Sequence, residues 1–148
     1  NREPNRVVAI RSADTKRALR LAAEPAMRVY FGQVALGEAP WNTVVLVVGA
    51  DLSVVAAFDS RLDRVGVVGG ASIYPFAWNI LLAARSRGLG GVLTTMCAGL
   101  ESASQDAVGF PSHVAVAAVI PLGHPVKQLT KLRRSPVADL LRYERWND

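Results

Sequence analysis

The pattern of hydrophobic and polar residues along this chain predicts short strands separated by helices. The predicted strands are 6–10, 42–49, 92–95 and 113–122, and the second and last are continuous β-branched runs typical of strands buried on both faces. The predicted helices are 14–23, 70–87, 100–108 and a short one beginning near 135. Helices placed between buried strands predict an α/β or α+β layered fold in a single domain.

Two segments carry weaker patterns. Residues 25–41 hold two prolines and two glycines between modest apolar stretches, which predicts a short helix followed by a loop. Residues 51–63 are compatible with a loop or with an irregular excursion. The segment 127–134 is basic and is predicted to be a loop.

The predicted helix 70–87 is apolar on nearly every side, so we expect protein to surround it. Gly88 follows it at the position where a glycine often ends a helix. The apolar stretch Val65–Ala84 is almost long enough to cross a bilayer. It is interrupted by Pro75, Asn79 and several glycines, which favours a helix buried in protein and no membrane partner. We expect Asn79 to be buried and to bond to the local backbone.

Charge is distributed unevenly along the 148 residues, whose formal net charge is +5. Residues 1–28 and 124–148 are both basic, whereas the middle of the chain is slightly acidic. Positive charge at both ends could converge on an anionic ligand such as a phosphate, although a solvated surface explains any single side chain equally well. No aromatic or helix-turn-helix pattern predicts a nucleic-acid partner. The lone cysteine, Cys97, is compatible with a reducing cytoplasm.

Few residues offer chemistry by pattern alone. The sequence contains no HExxH, CxxC, P-loop or GxSxG motif, and His113 and His124 lack a spaced partner, so no metal site is predicted. Cys97 is more typical of a small buried side chain than of a nucleophile. Lys131-Leu-Arg-Arg134 places three positive charges in four residues, which suits a phosphate group but also suits a solvated loop.

Several motifs, read in their order along the chain, favour a ligand-binding role over a solvated surface. Together they resemble the nitroreductase family of flavoproteins. The run Pro75–Gly91 (PFAWNILLAARSRGLGG) is similar to that family's central helix and glycine turn, and Thr94-Thr95 follows it. The remaining matches are Gly109-Phe-Pro111, Leu122-Gly-His-Pro125, the tail Arg133–Trp146 (RRSPVADLLRYERW) and Asn1-Arg-Glu-Pro4 before the first strand. The resemblance covers residues 1–10 and about 65–146.

The resemblance implies an α+β sandwich that forms a homodimer through long central helices and binds FMN at the dimer interface. It implies oxidoreductase activity, with NAD(P)H as electron donor and a nitro compound, quinone or similar small molecule as acceptor. Asn1 would face the polar edge of the flavin ring. Backbone groups of Thr94, Thr95 and Met96 would lie near flavin N5. The FMN phosphate would be bound by Lys131, Arg133 and Arg134.

The chain also departs from the family pattern. The family's first, basic segment is absent, which suggests a fragment or processed chain. Glu3 stands in place of the usual Gln, and Asn5 in place of the usual Trp. These differences leave two alternatives open, namely a flavin-binding or flavin-storing protein without turnover and a dimeric remnant without flavin. A Leu81→Asp substitution is expected to break a dimer built on the central helix.

Overall fold

A computed structural model describes residues 4–31, 42–54, 67–127, 130–131 and 134–144. Its four strands are β1 (Asn5–Ile10), β2 (Asn42–Asp51), β3 (Gly90–Gly91) and β4 (Val114–Gly123). Its helices are α1 (Ala13–Phe31), α2 (Val67–Ser86), α3 (Glu101–Val108) and the one-turn α4 (Val137–Leu140), and a 3₁₀ helix, Met96–Leu100, leads into α3. The strands form one antiparallel sheet in the order β1-β2-β4-β3.

The two central strands, β2 and β4, are the two valine-rich runs of the sequence, because only apolar side chains suit a strand covered on both faces. Their register pairs Val48 with Ala118 but Gly49 with Val116, so β4 holds one extra residue between these pairs. This bulge lets Ala117 and Ala118 pack toward the same core cluster, while Val116 packs toward the other.

Both faces of the sheet are covered by helices. On one face α1, the 3₁₀ helix and α3 pack over a cluster that includes Ile10, Leu19, Val47 and Cys97. On the other face α2 packs through Ile73, Ala77 and Ala84 against Val48, Ala118, Ile120 and Leu122. The result is an α+β fold in which the sheet lies between two helical layers.

The end of α2 is fixed by a glycine cap. Gly88 has a positive φ of 76°, and its N–H donates to Arg85 O at 3.0 Å. The N–H of Leu89 donates to Ala84 O at 3.0 Å. These two bonds form a Schellman motif, which satisfies carbonyls that the helix itself leaves free. The predicted helix end at Gly88 is therefore confirmed.

The predicted strand at 92–95 is wrong, and a proline explains why. β3 is limited to Gly90–Gly91, and the chain pairs with β4 again only at Thr94, opposite Val119. The register is the same at both places, which puts Val92 opposite Pro121. Both backbone groups of Val119 point toward Thr94, so by strand alternation position 121 faces the same edge. Pro121 has no N–H to donate there, and the ladder is interrupted.

Two helix predictions also need correction. α1 continues without interruption through Pro25 to Phe31, where a break and a second helix were predicted. A proline removes one backbone hydrogen bond, and strong helix formers on both sides offset this loss.

Asn79 is exposed on α2, so the prediction that it is buried is wrong. Residues 52–54 are helical, and the rest of the uncertain segment 51–63 lies outside the described residues.

The described side chains of α2, residues 70–86, are buried on the side that faces the sheet and mostly exposed on the other. Tyr74, Trp78 and Leu82 recur every four residues and are 43%, 57% and 53% exposed. Residues at this spacing lie along one stripe of a helix. The expectation that protein surrounds α2 is therefore met on the sheet side, and an aromatic and apolar stripe remains open on the other.

Candidate functional site

The segment from Thr94 to Met96 lies beside β4, where the sheet edge gives way to the 3₁₀ helix. The N–H of Thr94 donates to Val119 O at 2.9 Å, and Val119 N–H donates to Thr94 O at 2.8 Å. Ala98 N–H donates to Thr95 O at 2.9 Å, which starts the 3₁₀ turn. The segment is thus attached to the central strand β4 by a pair of reciprocal hydrogen bonds.

One amide in this segment is available to a ligand. Thr94 uses its N–H in the bridge to β4, and Met96 N–H donates to the Thr94 hydroxyl at 3.3 Å. Among the described residues, the N–H of Thr95 has no hydrogen-bond acceptor, and Thr95 is exposed. An exposed, unpaired donor on a fixed segment can bond to an acceptor atom of a bound molecule.

The predicted phosphate ligands lie further along the chain. Lys131 and Arg134 are exposed in the segment between β4 and α4, and neither forms a hydrogen bond or ion pair in the described part of the chain. That segment leaves the sheet after Gly123, which pairs with Gly90. Four residues of β4, or about 13 Å, separate Gly123 from the position of Val119 beside Thr94. Asn1 and Arg133 lie outside the described residues.

The other candidates from the sequence do not form a reactive site. Cys97 is 4% exposed, and burial raises the pKa of its thiol, which disfavours the nucleophilic thiolate. His113 and His124 flank the two ends of β4, about 35 Å apart for an extended strand. No cluster of three metal-binding side chains occurs in the described ranges.

Several buried polar residues were not predicted from the sequence. Asp51, at the end of β2, is 6% exposed, accepts from the Arg6 guanidinium at 2.6 Å and is bonded by the backbone and hydroxyl of Ser53. On α3, Ser104 and Gln105 are buried and donate to backbone carbonyls. Adjacent polar residues in a short helix between apolar elements were a signal that could have identified the α3 pair.

Comparisons with known proteins now give the family. No protein-family model matches the chain. A protein of Thermus thermophilus named NADH dehydrogenase is 30% identical over 164 aligned residues, covering 93% of this chain and 74% of that protein. Nitroreductase A from Vibrio parahaemolyticus has a similar structure, with a TM-score of 0.72, 21% identity, and coverage of 99% of this chain. The chain belongs to the nitroreductase family.

A second solved nitroreductase-like structure supports the fold. The NADPH:FMN oxidoreductase from Vibrio harveyi, determined in complex with NAD⁺, also gives a TM-score of 0.72 at 21% identity over 99% of this chain. The chain spans about three fifths of the length of these two solved proteins, 59% and 61% respectively. The predicted nitroreductase-like α+β fold is confirmed.

The side-chain oxygen of Asn5, which stands where the family usually has Trp, is buried and accepts no hydrogen bond from any described residue. Across the described ranges, no helix is both long and apolar enough to cross a membrane.

Proposed function

We propose that this chain is a single FMN-binding domain of an oxidoreductase that takes electrons from NAD(P)H and passes them to a nitro compound, a quinone or a similar small molecule. The observation that carries the proposal is the N–H of Thr95, an exposed residue on a segment fixed to β4, which has no acceptor among the described residues. Family membership and the names of the relatives, an NADH dehydrogenase and an NADPH:FMN oxidoreductase, support it. We also propose that the protein works in a reducing cytoplasm, with which its single cysteine is compatible.

The residues present suit FMN at both of its polar ends. A flavin ring requires a hydrogen-bond donor near N5, and within residues 94–96 the Thr95 amide is the donor that remains available. The phosphate requires cations, and Lys131 and Arg134 are exposed and unpaired among the described residues. Arg133 would add a third cation, and Asn1 would bond to the polar edge of the ring.

The protein's part in the reaction is binding and orientation. Bound FMN supplies the hydride and electron chemistry. The Thr95 N–H would stabilise negative charge near N5, and the cations would hold the phosphate end in place. No side chain is assigned as a proton donor, since the thiol of Cys97 is buried and both histidines lie at the ends of β4.

The first test is flavin binding followed by reduction. We expect the purified chain to show the visible absorption of a flavin, or to acquire it when FMN is added, and NADH or NADPH should bleach that absorption. A chain that neither carries nor takes up FMN would refute the proposal. Bound FMN that neither nucleotide reduces would instead identify a flavin-binding protein without turnover.

A second test addresses the phosphate ligands. Replacing both Lys131 and Arg134 by Ala should weaken FMN binding about tenfold or more, because two charge-assisted contacts are lost. Binding of riboflavin, which lacks the phosphate, should not change. Lys127→Ala, which removes an exposed cation from the same segment, serves as the matched control. If fluorescence titration shows that FMN and riboflavin lose affinity equally, the assignment of Lys131 and Arg134 as phosphate ligands is contradicted.

We also propose that the chain forms a homodimer through α2. Its open stripe of Tyr74, Trp78 and Leu82 is aromatic and apolar, and such a surface on a helix that already packs against the sheet is typical of an interface. Leu81 packs inward against the sheet side of α2, so the substitution Leu81→Asp would disrupt the core rather than report on a dimer.

A further inference from the structure

The helix α3 contains two consecutive polar residues that are almost completely buried. Ser104 is 0% exposed, and its hydroxyl donates to the backbone oxygen of Cys97 at 2.9 Å. Gln105 is 9% exposed, and its amide donates to Val114 O at 2.8 Å. The two residues therefore connect the same helix to different elements, one to the 3₁₀ helix and the other to the beginning of β4.

The bond from Ser104 fixes the far end of the segment that carries the Thr95 amide, which has no acceptor among the described residues. At its near end, Thr94 is bonded to Val119 in both directions. At its far end, Cys97 is buried in the core, and its backbone oxygen accepts from Ser104. The Thr95 N–H lies between these two attachments. Its direction depends on both of them, because a backbone held at two points three residues apart has little freedom to rotate between them.

We propose that Ser104 is a positioning residue that sets the direction of the Thr95 N–H toward the cofactor. This inference rests on the proposed function, since the amide has a redox role only if a flavin occupies the site. A donor aimed at flavin N5 tunes the electronics of the ring, so a change in its direction alters the flavin's properties as well as its affinity. Ser104 itself does not contact the cofactor.

Gln105 provides a matched control within the same helix. It is also buried and also donates to a backbone carbonyl, but its acceptor belongs to β4 rather than to the 3₁₀ helix. Ser104→Ala and Gln105→Met each remove one buried side-chain hydrogen bond to a backbone carbonyl, so both should lower stability. Only Ser104→Ala should release the segment that carries Thr95.

The experiment compares the purified wild-type chain with these two variants, first without flavin and then with added FMN. In the flavin-free protein, amide exchange at Ala98, which bonds to Thr95 O, should rise about tenfold in Ser104→Ala and stay unchanged in Gln105→Met. With flavin, Ser104→Ala should bind FMN about tenfold more weakly and should shift its visible spectrum and midpoint potential. Gln105→Met should match the wild type in all three flavin measurements.

The outcomes separate this inference from the proposed function. If the wild type takes up no FMN, the proposed function fails, while the exchange data still report whether Ser104 holds the segment. If FMN binds and Ser104→Ala leaves affinity, spectrum and potential unchanged, or if Gln105→Met changes them equally, the inference is overturned. Should Ser104→Ala not fold, Ser104→Cys, which retains a weaker donor of similar shape, is expected to give smaller changes in the same direction. Wild-type flavin properties in Ser104→Cys would then overturn the inference.

Discussion

At Asp51, a buried carboxylate at the end of β2, charge and stability are directly connected. Its pKa lies below the ordinary value of 3.8, mainly because the Ser53 hydroxyl bonds to the carboxylate. The backbone of Val54 and the Arg6 guanidinium also lower this pKa, whereas burial opposes them. Since the folded pKa is below the unfolded one, the carboxylate stabilises the native state above pH 3.8, and this contribution is lost as the pH falls through the folded pKa.

Asp51→Asn should therefore lower the free energy of unfolding at pH 7 and leave it less sensitive to acid. The difference from the wild type should begin to shrink as the pH falls below about 4, where Asp51 of the unfolded chain becomes protonated, and should be smallest below the lower pKa of the folded state. Denaturant titrations at several pH values measure this. Asp14→Asn is the control, because Asp14 is exposed and pairs with Arg17 on the surface, where an ion pair contributes about 0–1 kcal/mol. Parallel pH profiles for Asp51→Asn and the wild type would contradict the argument.

At the scale of single residues, the sequence could indicate a candidate segment but not which of its backbone groups are already bonded. The order of motifs was enough to single out residues 94–96, but the identity of the free amide depends on the bridge to Val119, 25 residues further along the chain. The same limit applies to α2. A helix that is apolar on nearly every side does not reveal which face meets the sheet. The sequence alone therefore does not distinguish Leu81, which packs inward, from its exposed neighbour Leu82.

At the sheet edge beside β4, a single residue, Pro121, limits the length of the strand β3. The pairing at Gly90–Gly91 and at Thr94 shares a single register, and the gap between them lies opposite Pro121. The composition of residues 92–95 is compatible with a strand, and only the partner strand shows why it does not pair throughout. Pairing of this kind is set by contacts distant in sequence, which local patterns do not contain.

Pro121→Val should extend this edge strand by restoring the missing donor. The new backbone amide at position 121 can bond to Val92 O, so slow exchange of that amide and of Val92 N–H is the expected result. Stability is a poor measure, because the gain of about 0.5–1.5 kcal/mol from the bond is offset by about 0.4–1 kcal/mol from the more flexible unfolded chain. Pro125→Val, beyond the end of β4, should leave exchange at Val92 unchanged. Fast exchange at both amides in Pro121→Val would contradict the explanation.

Elements marked by strong local signals were predicted well. The strands β2 and β4 follow from continuous valine-rich runs, and the end of α2 follows from Gly88. The helix α1 was predicted too short because a proline is usually a stop signal. Whether a helix continues past a proline depends on the packing of the turns on each side, and that is a property of the whole fold.

At the scale of the molecule, the part of the chain that the structure describes covers the two faces of the sheet unequally. The face toward α1 is covered by three helical elements, whereas α2 is the one described helix over the other face, and its outer stripe is open. A second copy of the chain that covered this stripe would remove three large apolar side chains from water. At about 25 cal/mol per Å² of apolar surface, such burial is the main source of stability in protein association.

Substituting both Trp78 and Leu82 with Asp should convert a dimer into a folded monomer, because it places two charges in the centre of the apolar stripe. Light scattering after gel filtration should give twice the 15.8 kDa chain mass for the wild type and 15.8 kDa for the variant, with unchanged far-UV circular dichroism. Leu21→Asp, at a residue 61% exposed on α1 beyond the opposite face of the sheet, should remain dimeric. A monomeric wild type would refute the proposed dimer, whereas a double variant that stays dimeric would place the interface elsewhere. If FMN binds at this interface, the double variant should also lose flavin, whereas the phosphate-site variants should lose flavin and remain dimeric.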